Sequence, residues 1–322
     1  MNKMNSKIGA VAVLTAALAI LPNIGGGAQE AVLIPQLDGD WWQVTGDPDL
    51  GAYSDPKQQP VDFAIWQAAD GAWQIWSCLR GTKCGGKTRL FYRWQGAKIT
   101  DRDWPPMGIA MQADPGFGET PGGLQAPYVT KVAAEYVMFY GDWENICKAK
   151  SMDGKTFARQ LGPNGKSGMF TEGPGNNTRD VIVLKIRNLY HAYYTAYPDK
   201  QGSDFVRTSK DLNTWSPSKK VAFGGQAGTG PSSAECPFVY YHKGSGYYYL
   251  FRTQHYGARA QTSIYRSSDP LNFGLNDDRY LVGTLPIAAP EIVDYEGQLY
   301  IAALLPSLKG IQIAKLKFAP KP

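Results

Sequence analysis

Five short segments of the chain each open on a polar residue capable of acid–base or hydrogen-bonding chemistry. These residues are Asp62, Gln125, Asp180, Glu235 and Glu291, and successive ones lie 63, 55, 55 and 56 residues apart. Each is followed by an apolar run, a turn and a second run rich in aromatic residues. A fixed period of this size is typical of a repeat architecture, in which equivalent positions converge. The pattern therefore predicts several carboxylates around one cavity.

Three of these carboxylates suit the cleavage of a glycosidic bond. That reaction needs one carboxyl group to protonate the leaving oxygen and a second to attack the anomeric carbon or activate water. The longer Glu235 side chain fits the proton donor, and Asp62 fits the nucleophile or base. Asp180 is predicted to stabilise the transition state and to keep Glu235 protonated through its own negative charge.

The elements that must position these residues are strands. Apolar residues recur with period two or in runs of four to seven, bounded by Gly, Pro, Asn and Asp. Asp70-Gly71, Glu296-Gly297 and the run 243–246 separate paired runs and predict hairpin turns. Five such units predict an all-β, single-domain, five-bladed β-propeller over residues 37–322, without a C-terminal β-sandwich. The segment 37–45 is expected to supply a strand that closes the ring.

A second repeat supports the first. Three stretches share the form S-x-D-x-x-x-aromatic and begin at Ser151, Ser209 and Ser267, each 58 residues after the one before. We interpret this form as the turn after the third strand of a blade. Its Asp would accept hydrogen bonds from local backbone N–H groups, and its aromatic residue would pack between blades.

Two short motifs carry a family resemblance. Glu235-Cys236-Pro237 matches the Glu-Cys-Pro motif of glycoside hydrolase family 32, the β-fructofuranosidases, and Arg179-Asp180 resembles that family's Arg-Asp-Pro motif. The resemblance implies that Glu235 is the general acid/base, Asp180 the transition-state stabiliser and Asp62 the nucleophile. It also implies that Arg179 binds sugar hydroxyls and that Gln125 lies beside the substrate. The related family 43 arabinofuranosidases and xylosidases share the five-bladed trio, with the first Asp as a base that activates water.

The chain departs from the family 32 pattern in its first motif. That family has Asn-Asp-Pro-Asn-Gly where this chain has Val61-Asp62-Phe63, and Val181 follows Asp180 in place of proline. Three functions therefore stay open. They are a furanoside hydrolase, an inverting family 43-like arabinofuranosidase or xylosidase, and a propeller that binds carbohydrate without cleaving it.

Further residues are candidates for substrate contact. Trp66 lies close to Asp62 on the same predicted strand and could stack on a sugar or pack in the core. His255 follows the second strand of the fourth unit, and Glu291 opens the fifth. Trp143 follows the second strand of the second unit, where a rim contact is possible and a packed tryptophan is favoured. Two Gly-rich loops, 162–178 and 223–233, lead to Asp180 and Glu235 and are expected to form the rim of the cavity.

Composition narrows the partners. The formal net charge is +5, but no basic run or Arg-rich stretch occurs, so a nucleic-acid partner is not expected. The 12% aromatic content suits strands and sugar-stacking surfaces. A carbohydrate substrate and a monomeric protein are expected. No cofactor and no metal ligand set is predicted, although some family 43 propellers hold a central calcium and this possibility is left open.

The first 28 residues resemble a secretory signal peptide. Lys3 and Lys7 precede an apolar stretch at 8–21, which is too short to cross a bilayer, and small residues at 26–28 suit cleavage. The protein is therefore expected to be exported to the periplasm or the extracellular space, with no membrane association after cleavage. An N-terminal membrane anchor is the alternative.

Four cysteines, Cys78, Cys84, Cys147 and Cys236, remain in the predicted mature chain. An exported chain permits disulfides, and a local bridge between Cys78 and Cys84 is one possibility. Four buried thiols are the other, and the sequence does not choose between them.

Overall fold

A computed structural model describes Met1 and residues 31–321 of the chain. The predicted signal peptide, 1–28, lies outside the described residues apart from Met1, so it stays a prediction. Within the described part, no helix has the length and hydrophobicity needed to cross a bilayer. The described chain is built from strands, with five single-turn 3₁₀ helices between them, at Gly51–Tyr53, Pro115–Phe117, Pro198–Lys200, Gly225–Ala227 and Gly257–Arg259.

The strands form five sheets of four or five strands each, and the predicted five-bladed propeller is confirmed. In chain order the strands are β1 Leu33–Leu37, β2 Trp42–Thr45, β3 Gln59–Gln67, β4 Trp73–Arg80, β5 Leu90–Gly96, β6 Pro106–Met111, β7 Gln125–Val132, β8 Glu135–Gly141, β9 Ile146–Ser151, β10 Ala158–Arg159, β11 Gly168–Phe170, β12 Arg179–Ile186, β13 Leu189–Ala196, β14 Ser203–Ser209, β15 Lys219–Ala222, β16 Glu235–His242, β17 Tyr247–His255, β18 Gln261–Ser267, β19 Leu281–Leu285, β20 Glu291–Tyr295, β21 Gln298–Leu304 and β22 Ile311–Pro320.

Each blade is an antiparallel meander whose first strand lies nearest the axis. The first, third and fourth blades are β3-β4-β5-β6, β12-β13-β14-β15 and β16-β17-β18-β19. In the second blade, β7-β8-β9 is followed by two short strands, β10 and β11, that both pair with β9. The first strands of neighbouring blades contact each other around the ring, so their N-terminal residues meet at one end of it.

Tight turns join the first two strands of each blade, as the turn residues predicted. In the fifth blade Tyr295 pairs with Gln298, and the two residues between them, Glu296 and Gly297, have φ of 52° and 79°. Two consecutive positive φ values are what a two-residue hairpin turn requires, and glycine accepts this conformation at no steric cost.

The S-x-D turns follow the third strands β9, β14 and β18, as predicted. The Asp153 carboxylate accepts hydrogen bonds from the N–H groups of Lys155 and Thr156 at 2.7 and 2.8 Å. Asp211 does the same for the N–H groups of Asn213 and Thr214, at 2.8 Å each. These bonds satisfy backbone groups that leave the sheet at the turn.

The aromatic residue of each turn packs on the preceding blade. Phe157 lies 6.0 Å from Trp66 and 5.3 Å from Trp76, measured between ring centroids. Trp215 lies 6.3 Å from Phe139 of the second blade in the same way. The repeat thus supplies the apolar contacts between blades as well as the turns within them.

The fifth blade combines both ends of the described chain. Its strands run β20-β21-β22-β1, and β2 also pairs with β22. The expected closing strand in 37–45 is therefore present as β2. The first strand, β1, begins at Leu33, ahead of the boundary predicted at residue 37. Pairing of N-terminal and C-terminal strands in one sheet closes the ring.

All four cysteines are free thiols. Cys78 and Cys147 are buried, and Cys84 and Cys236 are partly buried. The Cys78 thiol donates a hydrogen bond to the carbonyl of Leu124 at 3.2 Å, which links the first two blades. The possible Cys78–Cys84 bridge is absent, and the alternative of four thiols describes this chain.

Candidate active site

Four of the five axial strands carry a one-residue β-bulge at the same place. The bulged residues have positive φ: 39° at Asp62, 39° at Ala126, 55° at Asp180 and 46° at Cys236. In the fifth blade Ala289, just before β20, has φ of 50°. Positive φ is uncommon for residues other than glycine, and such strain concentrates at functional sites. All five of these residues line a cavity on the axis of the ring.

The bulges show that the five predicted opening residues are not structurally equivalent, although the sequence spacing suggests that they are. Asp62 and Asp180 are bulge residues, whereas Gln125 and Glu235 each precede a bulge by one residue. Glu291 follows the positive-φ residue of the fifth blade by two. The five predicted openings therefore occupy three different positions in the blade, because a bulge inserts a residue that sequence spacing does not show.

A second cavity opens above the axial one, at the end of the ring where the first strands begin. Its volume is about 310 Å³. It is lined by Val61, Asp62, Arg80, Arg89, Gln125, Trp143, Asn177, Arg179, Tyr197, Pro231, Ser232, Glu235 and Tyr256. Asp180 lies at the axial cavity beside it. The structure thus brings the three predicted catalytic carboxylates to one region.

Three groups contact the Asp62 carboxylate. The Cys236 thiol donates to Asp62 Oδ1 at 3.1 Å, and the Tyr256 hydroxyl donates to the same oxygen at 3.3 Å. An Arg89 Nη1 lies 3.9 Å from Asp62 Oδ2. These contacts fix the orientation of Asp62 at the boundary of the two cavities.

The two donors keep their protons. Burial raises the pKa of the Cys236 thiol well above its usual value, and the negative charges of Asp62 and Asp180 raise it further. Burial also raises the pKa of Tyr256, with the charges of its acidic neighbours adding to the effect. Both groups are hydrogen-bond donors at neutral pH, and Cys236 is not a reactive thiolate.

Asp180 is the most enclosed of the three acids. Its Oδ2 accepts a hydrogen bond from the backbone N–H of Cys236 at 3.0 Å and lies 3.6 Å from Nε of Arg179. Burial raises the pKa of Asp180 well above its usual value, and the neighbouring charge of Asp62 raises it further. Oxygen atoms of Asp62 and Asp180 lie within 4.8 Å of each other, so a proton on Asp180 relieves the repulsion between the two acids.

Glu235 is paired with Arg179. The guanidinium donates from Nη2 to one Glu235 oxygen at 2.6 Å and from Nε to the other at 3.3 Å. Burial lowers the pKa of Arg179, but the charges of Glu235 and Asp180 outweigh this effect and raise it. Nη1 of Arg179 donates to the Asn177 carbonyl at 2.9 Å, which fixes the side chain in place. This is the two-pronged contact that arginine makes with carboxylates.

Three buried oxygen atoms at this end of the ring have no hydrogen-bond partner among the described residues. They are Oε1 of Gln125, Oδ1 of Asn177 and Oδ1 of Asp180. Buried polar atoms in proteins are nearly always hydrogen-bonded, so clustered exceptions mark a place where a ligand or water donates. Sugar hydroxyls are donors of this kind.

No protein-family model matches the chain, and no curated protein sequence matches it. Solved structures do match. A thermostable family-43 glycoside hydrolase superposes with a TM-score of 0.59 at 16% identity, covering 84% of this chain and 98% of that one. An endo-arabinase from Bacteroides thetaiotaomicron gives 0.60 at 12%, covering 82% and 94%. A Bombyx mori GH32 beta-fructofuranosidase gives 0.58 at 15%, covering 86% of this chain and 64% of that longer one.

The fold is that of the family 43 and family 32 glycoside hydrolases. The predicted likeness to these two families is confirmed at the level of architecture. Because the identities are 16% or lower, this likeness shows the five-bladed propeller fold alone, and the chemistry of this chain has to be argued from its own residues.

Three predicted substrate contacts lie outside the upper cavity of this propeller. Trp66 is buried between the first two blades, where its Nε1 donates to the Gly154 carbonyl at 2.8 Å, so the stacking role is wrong. His255 is exposed at the end of β17, and its neighbour Tyr256 occupies the cavity instead. Glu291 lines the axial cavity and accepts a hydrogen bond from Ile65 N–H at 3.2 Å.

The structure also places functional candidates that the sequence pattern missed. Arg80, Trp143, Tyr197 and Tyr256 all line the upper cavity, and each lies at or within two residues of the end of the second strand of its blade. In an antiparallel pair this end lies beside the start of the first strand. A large polar or aromatic residue at the end of the second strand in four blades is the sequence feature that could have identified these cavity residues. Trp143 takes the rim position that the sequence left possible, not the packed position that it favoured.

The two Gly-rich loops contribute their last residues to the rim. Asn177 ends the first loop, and Pro231 and Ser232 end the second. The middle of the first loop instead forms β11 and pairs with β9 in the second blade. The rim prediction therefore holds only for the ends of the loops.

A buried arginine holds the second loop. Arg252 donates to the carbonyls of Ser233, Gly224 and Gly228 at 2.8, 3.3 and 3.4 Å. Its Nε also lies 3.6 Å from the fully buried carboxyl of Asp204, whose pKa burial raises to about 7. The loop that ends immediately before Glu235 is thus fixed to the blade beneath it.

One group of possible metal ligands occurs among the described residues. Ligand atoms of Asp62, Asp180 and Cys236 lie within 4.8 Å of one another. Calcium takes six to eight oxygen ligands, and the protonated Cys236 thiol already donates to Asp62. This set of donors does not fit the calcium ion that was left open by the sequence.

Proposed function

We propose that the protein is a glycoside hydrolase acting on a furanoside or a related glycan. The observation that carries the proposal is the meeting of Asp62, Asp180 and Glu235 beside an open cavity lined with unpartnered acceptors. Two carboxyl groups of different environment are what hydrolysis of a glycosidic bond requires. The shared fold of family 43 and family 32 glycosidases supports the same assignment.

Glu235 is the proton donor in this proposal. It is the most exposed of the three acids, with a side chain 16% exposed, and it lies in the cavity wall, where a leaving oxygen can reach it. Arg179 occupies both of its oxygens without substrate. Sugar hydroxyls that accept from Arg179 would loosen this pair. Glu235 would then take up a proton from water and give it to the leaving oxygen.

Asp62 is the group that acts at the anomeric carbon, either directly as nucleophile or by activating water. Cys236, Tyr256 and Arg89 contact its carboxyl group and hold the side chain in place beside the upper cavity. Asp180 carries a proton, because burial and the charge of Asp62 raise its pKa. Its unpartnered oxygen can hydrogen-bond a sugar hydroxyl and stabilise the transition state.

The first prediction tests both roles. Glu235→Gln and Asp62→Asn are each expected to lower kcat on an accepted substrate by about a hundredfold or more, because each removes an acid, base or nucleophile while preserving shape. The measurement is initial rate on a panel of aryl glycosides and oligosaccharides. Asp294→Asn, an exposed change on β20, is the control and is expected to keep the wild-type rate. Wild-type rates in both site variants would rule out the assignment.

The anomeric configuration of the first product separates the two roles of Asp62. Retention indicates a covalent intermediate on Asp62, and inversion, as in the family 43-like alternative, indicates activation of water. Proton magnetic resonance during early turnover gives this configuration directly.

A carbohydrate-binding propeller without catalysis is the second candidate. It is favoured by the Arg179–Glu235 pair, which engages both oxygens of the proposed acid. Binding of a glycan by wild-type protein with no turnover over days, across the whole panel, would support this candidate and exclude the hydrolase.

We also propose that the protein is exported and acts as a monomer after removal of its first 28 or so residues. The charged, apolar and small-residue segments of the N-terminus support export. N-terminal sequencing of protein recovered outside the cytoplasm tests the cleavage position, and light scattering tests the monomer.

A further inference from the structure

Positive charge exceeds negative charge on one side of the upper cavity. Arg80 lines the cavity, and its Nε and Nη2 donate to the neutral amide oxygen of Gln59 at 3.0 and 2.8 Å. Within residues 31–321, no carboxylate lies within 4.0 Å of the Arg80 guanidinium. Arg80 is only partly buried, so its third nitrogen, Nη1, remains available.

Arg89 lies beside it with most of its donors unused. Only Nη1 has partners in the described part of the chain, the Cys78 sulfur at 3.8 Å and Asp62 Oδ2 at 3.9 Å. Both distances are long for a charge-assisted hydrogen bond, which is about 2.7–2.9 Å. The guanidinium carbon lies 5.1 Å from the centre of the Trp143 ring. The aromatic ring, rather than a carboxylate, thus positions this cation.

Lys87 adds a third cation at the edge. Its Nζ lies 4.7 Å from the centre of the Trp143 ring, and no ion pair engages it among the residues described. Trp143 itself has φ of 84°, a strained conformation for a large side chain. Trp143 therefore brings the cations of Lys87 and Arg89 together at the edge of the cavity.

The acids nearby do not balance this charge. Glu235 is matched by Arg179, and among residues 31–321 only Asp62 has a carboxylate oxygen within 4.0 Å of the Arg89 guanidinium. The second acid of the buried pair, Asp180, has a raised pKa and does not supply a full negative charge. Among the described residues, Arg80 and Lys87 therefore have no carboxylate partner within 4.0 Å.

We propose that this side of the cavity binds an anionic group of the glycan, a carboxylate or a sulfate ester, with Arg80 and Arg89 as its ligands. The proposal rests on the glycoside hydrolase function proposed above and narrows its substrate class. Guanidinium groups present paired donors that match the oxygens of these anions. A neutral sugar leaves the same donors desolvated and unpaired, so it binds less well.

The experiment uses matched pairs of oligosaccharides. One series compares uronic-acid oligosaccharides with their carboxyl-reduced forms, and the other compares sulfated oligosaccharides with their desulfated forms. Affinity is measured by calorimetry for compounds that the mature protein leaves intact, and kcat/KM for compounds that it cleaves. This readout works whether or not the protein is a hydrolase. The two series separate a carboxylate from a sulfate ester.

For wild-type protein we expect the anionic member of at least one series to be favoured by about tenfold or more. The preference is expected to shrink as salt rises from 50 to 500 mM, because ions screen charges at a solvent-accessible site. Arg80→Gln should abolish most of the preference, and Arg80→Lys should restore part of it. Arg89 is left unchanged because it contacts Asp62.

Arg187→Gln is the matched control. Arg187 is exposed in the turn between β12 and β13, at the other end of β12 from Arg179. The Arg187→Gln variant loses the same positive charge as Arg80→Gln and is expected to keep the wild-type preference for the anionic oligosaccharide. The proposal is wrong if neither anionic series is favoured over its neutral partner, or if Arg80→Gln and Arg187→Gln change the preference equally. Turnover of a neutral glycan without preference for the anionic member would overturn this inference alone. Preference for the anionic member without turnover would overturn only the proposed hydrolase activity.

Discussion

At the scale of single residues, the site is organised around Asp62. Two donors from the fourth blade, Cys236 and Tyr256, share one of its oxygens, and Arg89 from its own blade faces the other. The Cys236 sulfur and the Tyr256 hydroxyl lie 3.1 Å apart. The side chain is therefore fixed by contacts across the ring, and its orientation depends on the first and fourth blades keeping their relative position.

The second prediction concerns Tyr256. Tyr256→Phe removes a donor to Asp62 and leaves the ring that fills the cavity wall. A hydrogen bond to a charged group contributes about 1.5–3 kcal/mol, so kcat is expected to fall by about tenfold or more. Initial rates on the best substrate found for wild-type protein measure the effect, and a thermal melt checks that the fold is kept.

Tyr265→Phe is the matched control in the same blade. Tyr265 is buried, and its hydroxyl has no partner among the described residues, so loss of this oxygen leaves no group unsatisfied. Its kcat should equal that of wild type. An equal loss of activity in both tyrosine variants would mean that Tyr256 acts through packing and not by positioning Asp62.

The sequence identified the residues of the site only where their spacing repeats from blade to blade. Asp62, Asp180 and Glu235 were found by period and motif, and all three reach the same end of the ring. Arg89 was not, because it precedes the third strand of one blade and has no equivalent charge in the others. For Trp66 the sequence left sugar stacking and core packing both open, because strand spacing gives the face of a residue but not whether that face meets the axis or the next blade.

At the scale of elements, the bulge is the feature that a sequence does not display. An inserted residue shifts everything before it by one position and turns the bulged side chain away from the regular pleat. Here the inserted residues are as different as Asp62, Ala126 and Cys236, so no residue type marks the place. The turns were predictable by contrast, since Asp, Ser and Gly form them by local hydrogen bonds and positive φ.

The third prediction concerns the S-x-D turns and acid stability. Hydrogen bonds from Thr214 and Asn213 N–H lower the pKa of Asp211 from 3.8 to about 2. A carboxyl group with a lowered folded-state pKa stabilises the fold above pH 3.8, and this stabilisation is lost as pH falls towards 2. Asp211→Asn is therefore expected to lower stability at pH 7 and to flatten the loss between pH 4 and 2. Urea unfolding at several pH values measures both effects.

The same exchange at Asp294, exposed and outside any S-x-D turn, provides the comparison. Its variant should follow the wild-type stability curve across this range of pH. If Asp211→Asn also follows the wild-type curve, the turn carboxylate makes no contribution through its ionised form. The aromatic packing of Trp215 would then be the part of the motif that matters.

At the scale of the whole molecule, the number of blades follows directly from the number of repeats. Which strands make up the last blade does not follow from the number of repeats. Three of its strands come from the C-terminal repeat, while β1 and β2 come from residues before the first repeat and carry no repeat signal of their own. Strand β1 was missed because its sequence, LIPQL, is short and contains a proline. Its pairing partner lies almost the whole chain away, which no local pattern reports.

The fourth prediction tests this closure. A chain starting at residue 46 lacks β1 and β2, so β22 keeps only β21 as a partner and exposes its other edge. Loss of the buried side chains of Val44 and Thr45 also leaves a gap beneath the blade. The Thr45 hydroxyl also accepts a hydrogen bond from Ile311 N–H at 2.9 Å. An unpaired strand edge favours association, so this chain is expected to melt at least about 10 °C lower and to aggregate. A chain starting at residue 31 keeps every described strand and should match wild-type protein in a circular dichroism melt and by size-exclusion chromatography. Equal melting temperatures for the two shortened chains would show that the ring holds without its N-terminal strands, and the closure would then depend on contacts between β20 and β3.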